Sequence, residues 1–195
     1  MIAALGDSIT AGNPGYDPQP GAREAYGFGD DERSSYEYWA TRAHPGFEIR
    51  NCGVFGERTD EIAARLEGCA EGATGVIVQG GINDIAQRYD VERAAENLRG
   101  IVADAKSMDL DVAIANVLPW NNGYPDADPQ IKALNVLIAE ITREEGIPLL
   151  PFYETLDDPD APGRMKPEGT ADGDHPSIEG YERLGLRAFR LPGSG

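Results

Sequence analysis

The chain has 195 residues, a length that suits one domain with a substantial core, so a single domain over 1–195 is expected. Its 17 Lys and Arg face 34 Asp and Glu, giving a formal net charge of −17. That balance repels phosphate backbones and anionic membrane surfaces, and so excludes nucleic acid and polyanionic substrates as expected partners.

The N-terminus runs Met-Ile-Ala-Ala-Leu straight into Gly-Asp-Ser, without the basic and long apolar regions of a signal peptide. No apolar run is long enough to span a bilayer. As given, the chain reads as soluble and cytoplasmic, or as secreted if a leader has been removed. Residues 2–5 read as the first strand, followed by Gly6-Asp7-Ser8-Ile9-Thr10. The glycine permits a sharp turn that lifts the Ser8 hydroxyl to the carboxyl edge of a sheet. On this segment alone, helix capping by Ser8 is the simpler reading.

A long loop at 13–33, rich in Gly, Pro and charge, precedes a helix expected over 36–43. His44, in Arg-Ala-His-Pro-Gly, reads as an exposed or C-capping histidine. The second strand is expected at 47–51 and leads into Asn51-Cys52-Gly53-Val54-Phe55-Gly56, where Gly56 either offers a backbone N–H or merely turns the chain. Helical period follows at Ile62, Ala63 and Leu66. Cys52 and Cys69 lack CxxC or Cys/His metal spacing. They are able to pair, but two cysteines make no disulfide framework, and free buried thiols are the commoner state.

Residues 76–78 form the third expected strand, ending in Gln79-Gly80-Gly81-Ile82-Asn83-Asp84, where Asn83 offers a side-chain amide or makes an Asx turn. Helical spacing at Val91, Ala94, Ala95, Leu98, Ile101, Val102 and Ala105 precedes a fourth strand at 112–118. The loop 119–129 follows, in which Trp120 and Tyr124, with Tyr16 of the earlier loop, are aromatics that anchor their loops or stack on a sugar. A helix through Ile131, Leu134, Ile138 and Ile141, a fifth strand at 147–150 and a loop at 157–174 complete the approach to the last helix, which carries Ile178, Tyr181 and Leu184.

Several strand runs lack in/out alternation, as in a parallel sheet covered on both faces, and strand alternates with helix throughout. The expectation is an α/β fold with a five-stranded, doubly wound parallel sheet and its ligand site at the carboxyl ends of the strands. His175 sits where the loop ends and Pro176 opens the last helix. Asp172, three residues earlier, can fold back and accept the imidazole Nδ1–H, leaving Nε2 free as a base; an incidental loop histidine is the competing reading. No Gly-x-Gly-x-x-Gly follows a strand, and neither a P-loop nor HExxH is present. The α/β-hydrolase elbow would need glycine where this chain has Thr10.

Gly6-Asp7-Ser8-Ile9-Thr10, Gly56 in Asn-x-x-x-x-Gly, Gly81-Ile82-Asn83-Asp84 and Asp172-x-x-His175-Pro176 resemble, in order, the four blocks of the SGNH (GDSL-type) hydrolases. The resemblance implies a three-layer α/β/α, flavodoxin-like sandwich without cofactor or metal. It implies Ser8 as nucleophile, His175 as base, and an oxyanion hole from the Ser8 and Gly56 N–H groups and the Asn83 side chain. Asp172 and Asp174 both precede His175, and the family pattern matches Asp172. One departure is the loop 13–33, longer than in compact members. The expected activity is hydrolysis of a small-molecule, short-chain carboxylic ester, acetyl esters of carbohydrates being one class. A lysophospholipase, an acyl-thioesterase and a non-catalytic flavodoxin-like binding module are the alternatives.

Overall fold

The computed structural model describes residues 1–12 and 31–192, so most of the expected loop 13–33, Tyr16 included, lies outside the described residues. The strands are β1 (Ile2–Gly6), β2 (Ile49–Gly53), β3 (Gly75–Val78), β4 (Asp111–Ala115) and β5 (Leu149–Leu150). They pair in parallel in the order β2-β1-β3-β4-β5. The helices are α1 (Ser8–Ala11), α2 (Tyr36–Ala43), α3 (Thr59–Ala63), α4 (Leu66–Ala70), α5 (Ile82–Ala86), α6 (Val91–Ser107), α7 (Asp128–Glu145), α8 (Phe152–Leu156) and α9 (Ile178–Arg183).

Neighbouring side chains on a strand point to opposite faces, and both faces here are apolar. Ala3 and Leu5 of β1, Val76 and Val78 of β3, and Val112 and Ile114 of β4 join one core with Leu98 and Ile101 of α6 and Leu134 and Ile138 of α7. Ile2, Ala4, Ile77, Ala113 and Ala115 join a second with Tyr36 of α2, Phe152 of α8 and Tyr181 of α9. The result is the three-layer α/β/α arrangement, and it explains why the inner strands β1, β3 and β4 are apolar on both faces. Each fully buried Leu or Ile contributes roughly 1.5–3 kcal/mol of transfer free energy to these cores. Among the described residues, no helix is long and apolar enough to cross a membrane.

Some boundaries move for identifiable reasons. β2 starts at Ile49 because that residue pairs with Ile2, and Phe47 is left 44% exposed. β4 stops at Ala115 although residues 116–118 are buried. There Asn135 of α7 brackets Val117, its Oδ1 accepting the Val117 N–H at 2.7 Å and its Nδ2 donating to the Val117 carbonyl at 2.8 Å. A side-chain amide has replaced the strand ladder, so the backbone is satisfied without a neighbouring strand. The helical period around Ile62 and Leu66 is two short helices, α3 and α4, meeting at Arg65.

The expectation of two free thiols is corrected. Cys52, on β2, and Cys69, on α4, form a disulfide with Cα atoms 6.0 Å apart. The chain turns back after β2 so that α4 lies over the strand end, a tertiary proximity that spacing does not reveal. Closing a loop with a sequence separation of 17 is worth about 3 kcal/mol in the chain-entropy account.

In the second core Glu37 is 5% exposed, and neither of its carboxyl oxygens nor the Tyr181 hydroxyl has a hydrogen-bond partner among the described residues. Burial pushes the Glu37 carboxyl up to about 8, from an ordinary value of 4.5. Between those values the native protein holds a proton that the unfolded chain has released, so stability is lost as pH rises through that window and levels off above it. Glu37→Gln, measured by urea unfolding from pH 5 to 9, is therefore expected to gain on the wild type by a few kcal/mol up to pH 8 and no further. Parallel stability curves for the two proteins contradict a neutral buried Glu37.

Candidate active site

The carboxyl end of β1 delivers Gly6-Asp7-Ser8 directly into α1. Asp7, not Ser8, is the N-cap: its Oδ1 accepts the Ile9 N–H at 2.9 Å. Capping is thus supplied one residue earlier than the simplest reading of the segment places it, and the Ser8 hydroxyl is left for another partner. That partner is His175, whose Nε2 lies 3.0 Å from Ser8 Oγ across 167 positions of sequence. Ser8 itself is 7% exposed.

On its other side the His175 ring places Nδ1 2.9 Å from Asp172 Oδ2. The second carboxylate oxygen accepts the backbone N–H groups of Asp174 at 2.9 Å and His175 at 2.8 Å. Burial works to raise the Asp172 carboxyl, but the bonds from the His175 ring and these backbone groups outweigh it and hold the group below the usual carboxylate range. A proton on Nδ1 donated to Asp172 would leave Nε2 free to accept from the Ser8 hydroxyl. Gly173 makes this turn possible: its φ of +91° is one that side chains rarely adopt, and a Cβ there would meet the Asn122 side chain at 2.6 Å.

Asp174 faces elsewhere. Its Oδ1 accepts from the Trp120 indole N–H and from Asn122 Nδ2 at 2.8 Å. Asn122 also donates to the Asp172 carbonyl at 3.0 Å, and the Asn121 N–H to that of Gly173 at 3.0 Å. The loop after β4 therefore holds the loop that carries Asp172 and His175. Tyr124 packs under the Arg164 guanidinium, 4.4 Å from its ring centre, so both described loop aromatics anchor structure. His44 ends α2, donating its N–H to the Ala40 carbonyl with its ring 5.6 Å from that of Phe189.

The loop after β2 comes up beside the histidine, with the Phe55 ring centre 6.4 Å from that of His175. Gly56 follows at φ +78°, and its carbonyl accepts from Gln87 Nε2 at 3.0 Å. Asn83, on α5, donates its Nδ2 to the Glu57 carbonyl at 2.9 Å, which ties it to the residue after Gly56. Ser8, Asp172 and His175 are thus hydrogen-bonded in series, and Gly56 and Asn83 are joined to each other through Glu57.

Sequence reasoning missed the groups that brace these turns. Buried Asp84 accepts the Thr59 N–H and hydroxyl at 3.0 and 2.8 Å, fixing the far end of the Gly56 loop; burial raises its carboxyl, and the Thr59 bonds oppose that. Asp84 sits beside Asn83 in the same motif, a signal that was open to use. Asp7 is fully buried, and this pushes it up to about 6, with the Ile9 N–H and the nearby His175 acting in the opposite direction. Among the described residues no cluster of three or more His, Cys, Asp or Glu is arranged to hold a metal ion.

A family model for the GDSL-like lipase/acylhydrolase family matches residues 4–183. The chain belongs to that family. No curated protein matches it at a significant level. Among solved structures, a lipolytic protein of the G-D-S-L family from Veillonella parvula is 20% identical, with 96% of this chain and 94% of that one covered and a TM-score of 0.78. A G-D-S-L lipolytic protein from Desulfitobacterium hafniense is 22% identical, with 94% of both chains covered and a TM-score of 0.77. Axe2, an acetylxylan esterase from Geobacillus stearothermophilus, is 18% identical as a catalytic mutant, with 94% and 90% covered and a TM-score of 0.70. At these identities the likenesses carry the fold, while the family rests on the sequence match.

Proposed function

We propose that the chain is a serine esterase that hydrolyses short-chain carboxylic esters, acetyl esters of carbohydrates among them, through an acyl-enzyme on Ser8. The observation that carries this reading is the series Ser8 Oγ, His175 Nε2, His175 Nδ1 and Asp172 Oδ2, closed at 3.0 and 2.9 Å. His175 takes the hydroxyl proton as Ser8 attacks the ester carbonyl, and Asp172 holds the imidazole in the required tautomer and stabilises its charged form. His175 then protonates the leaving alcohol, and water repeats the sequence on the acyl-enzyme.

The tetrahedral oxyanion needs donors aimed at it before it forms. The Ser8 N–H, the Gly56 N–H and Asn83 Nδ2 take that part in our reading. An amide nitrogen has two protons, and since Asn83 gives one to the Glu57 carbonyl, its second is held in a fixed direction. Burial of Ser8 strengthens each of these interactions by excluding water.

Short acyl groups are favoured because the loops 13–33 and 119–129, which follow β1 and β4 in the chain, are rich in polar residues. An extended acyl chain would find few apolar partners there. A panel of p-nitrophenyl esters tests the reading: kcat/KM for acetyl and butyryl esters is expected to exceed that for octanoyl and longer ones by at least about tenfold. A maximum at octanoyl or beyond turns the assignment toward the lysophospholipase or acyl-thioesterase. The Cys52–Cys69 disulfide favours an oxidising compartment over the cytoplasm, and thiol titration of the protein taken from its source would test that.

A further inference from the structure

Arg65, at the junction of α3 and α4, spends its guanidinium on three parts of the site at once. Nη1 donates to the Cys52 carbonyl at 2.6 Å, Nη2 to the Gly6 carbonyl at 3.0 Å, and Nε to the Glu57 carboxylate at 2.8 Å. Gly6 is the residue before Asp7-Ser8, and its carbonyl also accepts the Val54 N–H at 3.0 Å. Cys52 lies at the end of β2, and Glu57 follows Gly56. The Glu57 carbonyl, in turn, accepts from Asn83. A planar fork with five N–H donors spread over three nitrogens suits three separate acceptors, whereas a lysine directs all its donors from one nitrogen.

The Arg65–Glu57 pair is partly exposed, at 27% and 18%, so its bare Coulomb attraction is screened and geometry is the larger part of its effect. We propose that Arg65 is a positioning residue: through Glu57 it fixes where the Asn83 donor stands relative to the Ser8 turn, so that this donor is in place before charge develops on the substrate. This rests on the oxyanion reading given above. A brace for the fold alone would lower stability and leave turnover per folded molecule unchanged. A positioning role acts on kcat, since displacing a reacting group by about 1 Å costs on the order of a hundredfold.

The test is a double-mutant cycle on the full chain with p-nitrophenyl acetate. Asn83→Ala alone is expected to lower kcat by about 10²–10³. Arg65→Met is expected to lower kcat about 10–100-fold with KM within about twofold, and to lower it less than about threefold when Asn83 is already Ala. Glu57→Gln keeps the two carbonyl contacts and is expected to lose about fivefold, with the same dependence on Asn83. If Arg65→Met does not fold, the Glu57→Gln pair decides by itself. Equal fold-losses with and without Asn83, or no loss at all, overturn the role of Arg65 while leaving the oxyanion reading intact. An unchanged kcat for Asn83→Ala removes the oxyanion reading, and the proposal with it.

Discussion

Ser8→Ala is expected to lower kcat/KM for acetyl esters by about 10⁴–10⁶ while the protein keeps its fold. The size follows from the role: without the hydroxyl no acyl-enzyme forms, and only binding and the oxyanion donors remain to assist direct attack by water. The intact fold follows from the local structure. Helix α1 is capped by Asp7, and the Ser8 hydroxyl reaches His175, so the substitution removes one hydrogen bond and little packing. Its stability cost should stay near 1 kcal/mol. Circular dichroism and urea unfolding check the fold, and steady-state kinetics check the loss. A well-folded Ser8→Ala protein that retains a tenth of wild-type hydrolysis removes Ser8 from the mechanism.

The next largest effect is expected at Asp172. Replacing it with Asn keeps an oxygen for the backbone N–H groups of Asp174 and His175 but takes away the carboxylate that accepts Nδ1–H. The amide favours the tautomer with its proton on Nε2, which cannot take the Ser8 proton, so kcat should fall by about 10³–10⁴. Asp174→Asn is the matched control. That side chain accepts from Trp120 and Asn122, and an amide oxygen can still do so, so a loss of less than about tenfold is expected. If Asp174→Asn proves the more damaged enzyme, the assignment of the carboxylate is wrong.

The parts of this architecture that were legible in the sequence are those written in contiguous residues. Runs such as Val76–Ile77–Val78 are apolar on both faces because each side meets a core, and that shows without partners in view. Asp172 and His175 lie three residues apart around Gly173, so their pairing is a local matter of turn geometry. Contacts that join distant stretches were not legible. Nothing near Arg65 announces that it reaches Gly6, 59 positions away, and Trp120 gives no hint of Asp174, 54 positions on. The disulfide was missed for the same reason. The end of β4 was missed because Asn135 mimics a neighbouring strand, and a side-chain amide leaves no trace in the pattern of apolar residues. At Ser8, two residues competed for one cap, and the stronger claim of Asp7 emerged only from the backbone geometry.

The central claim, that Ser8 is activated by His175 to form a covalent intermediate, is tested most directly by mass spectrometry of the intact protein after treatment with a fluorophosphonate, followed by peptide mapping. One adduct per chain, located on Ser8, absent in Ser8→Ala and formed far more slowly in Asp172→Asn, is the predicted result. An adduct on another residue, or none while ester hydrolysis continues, would contradict the account.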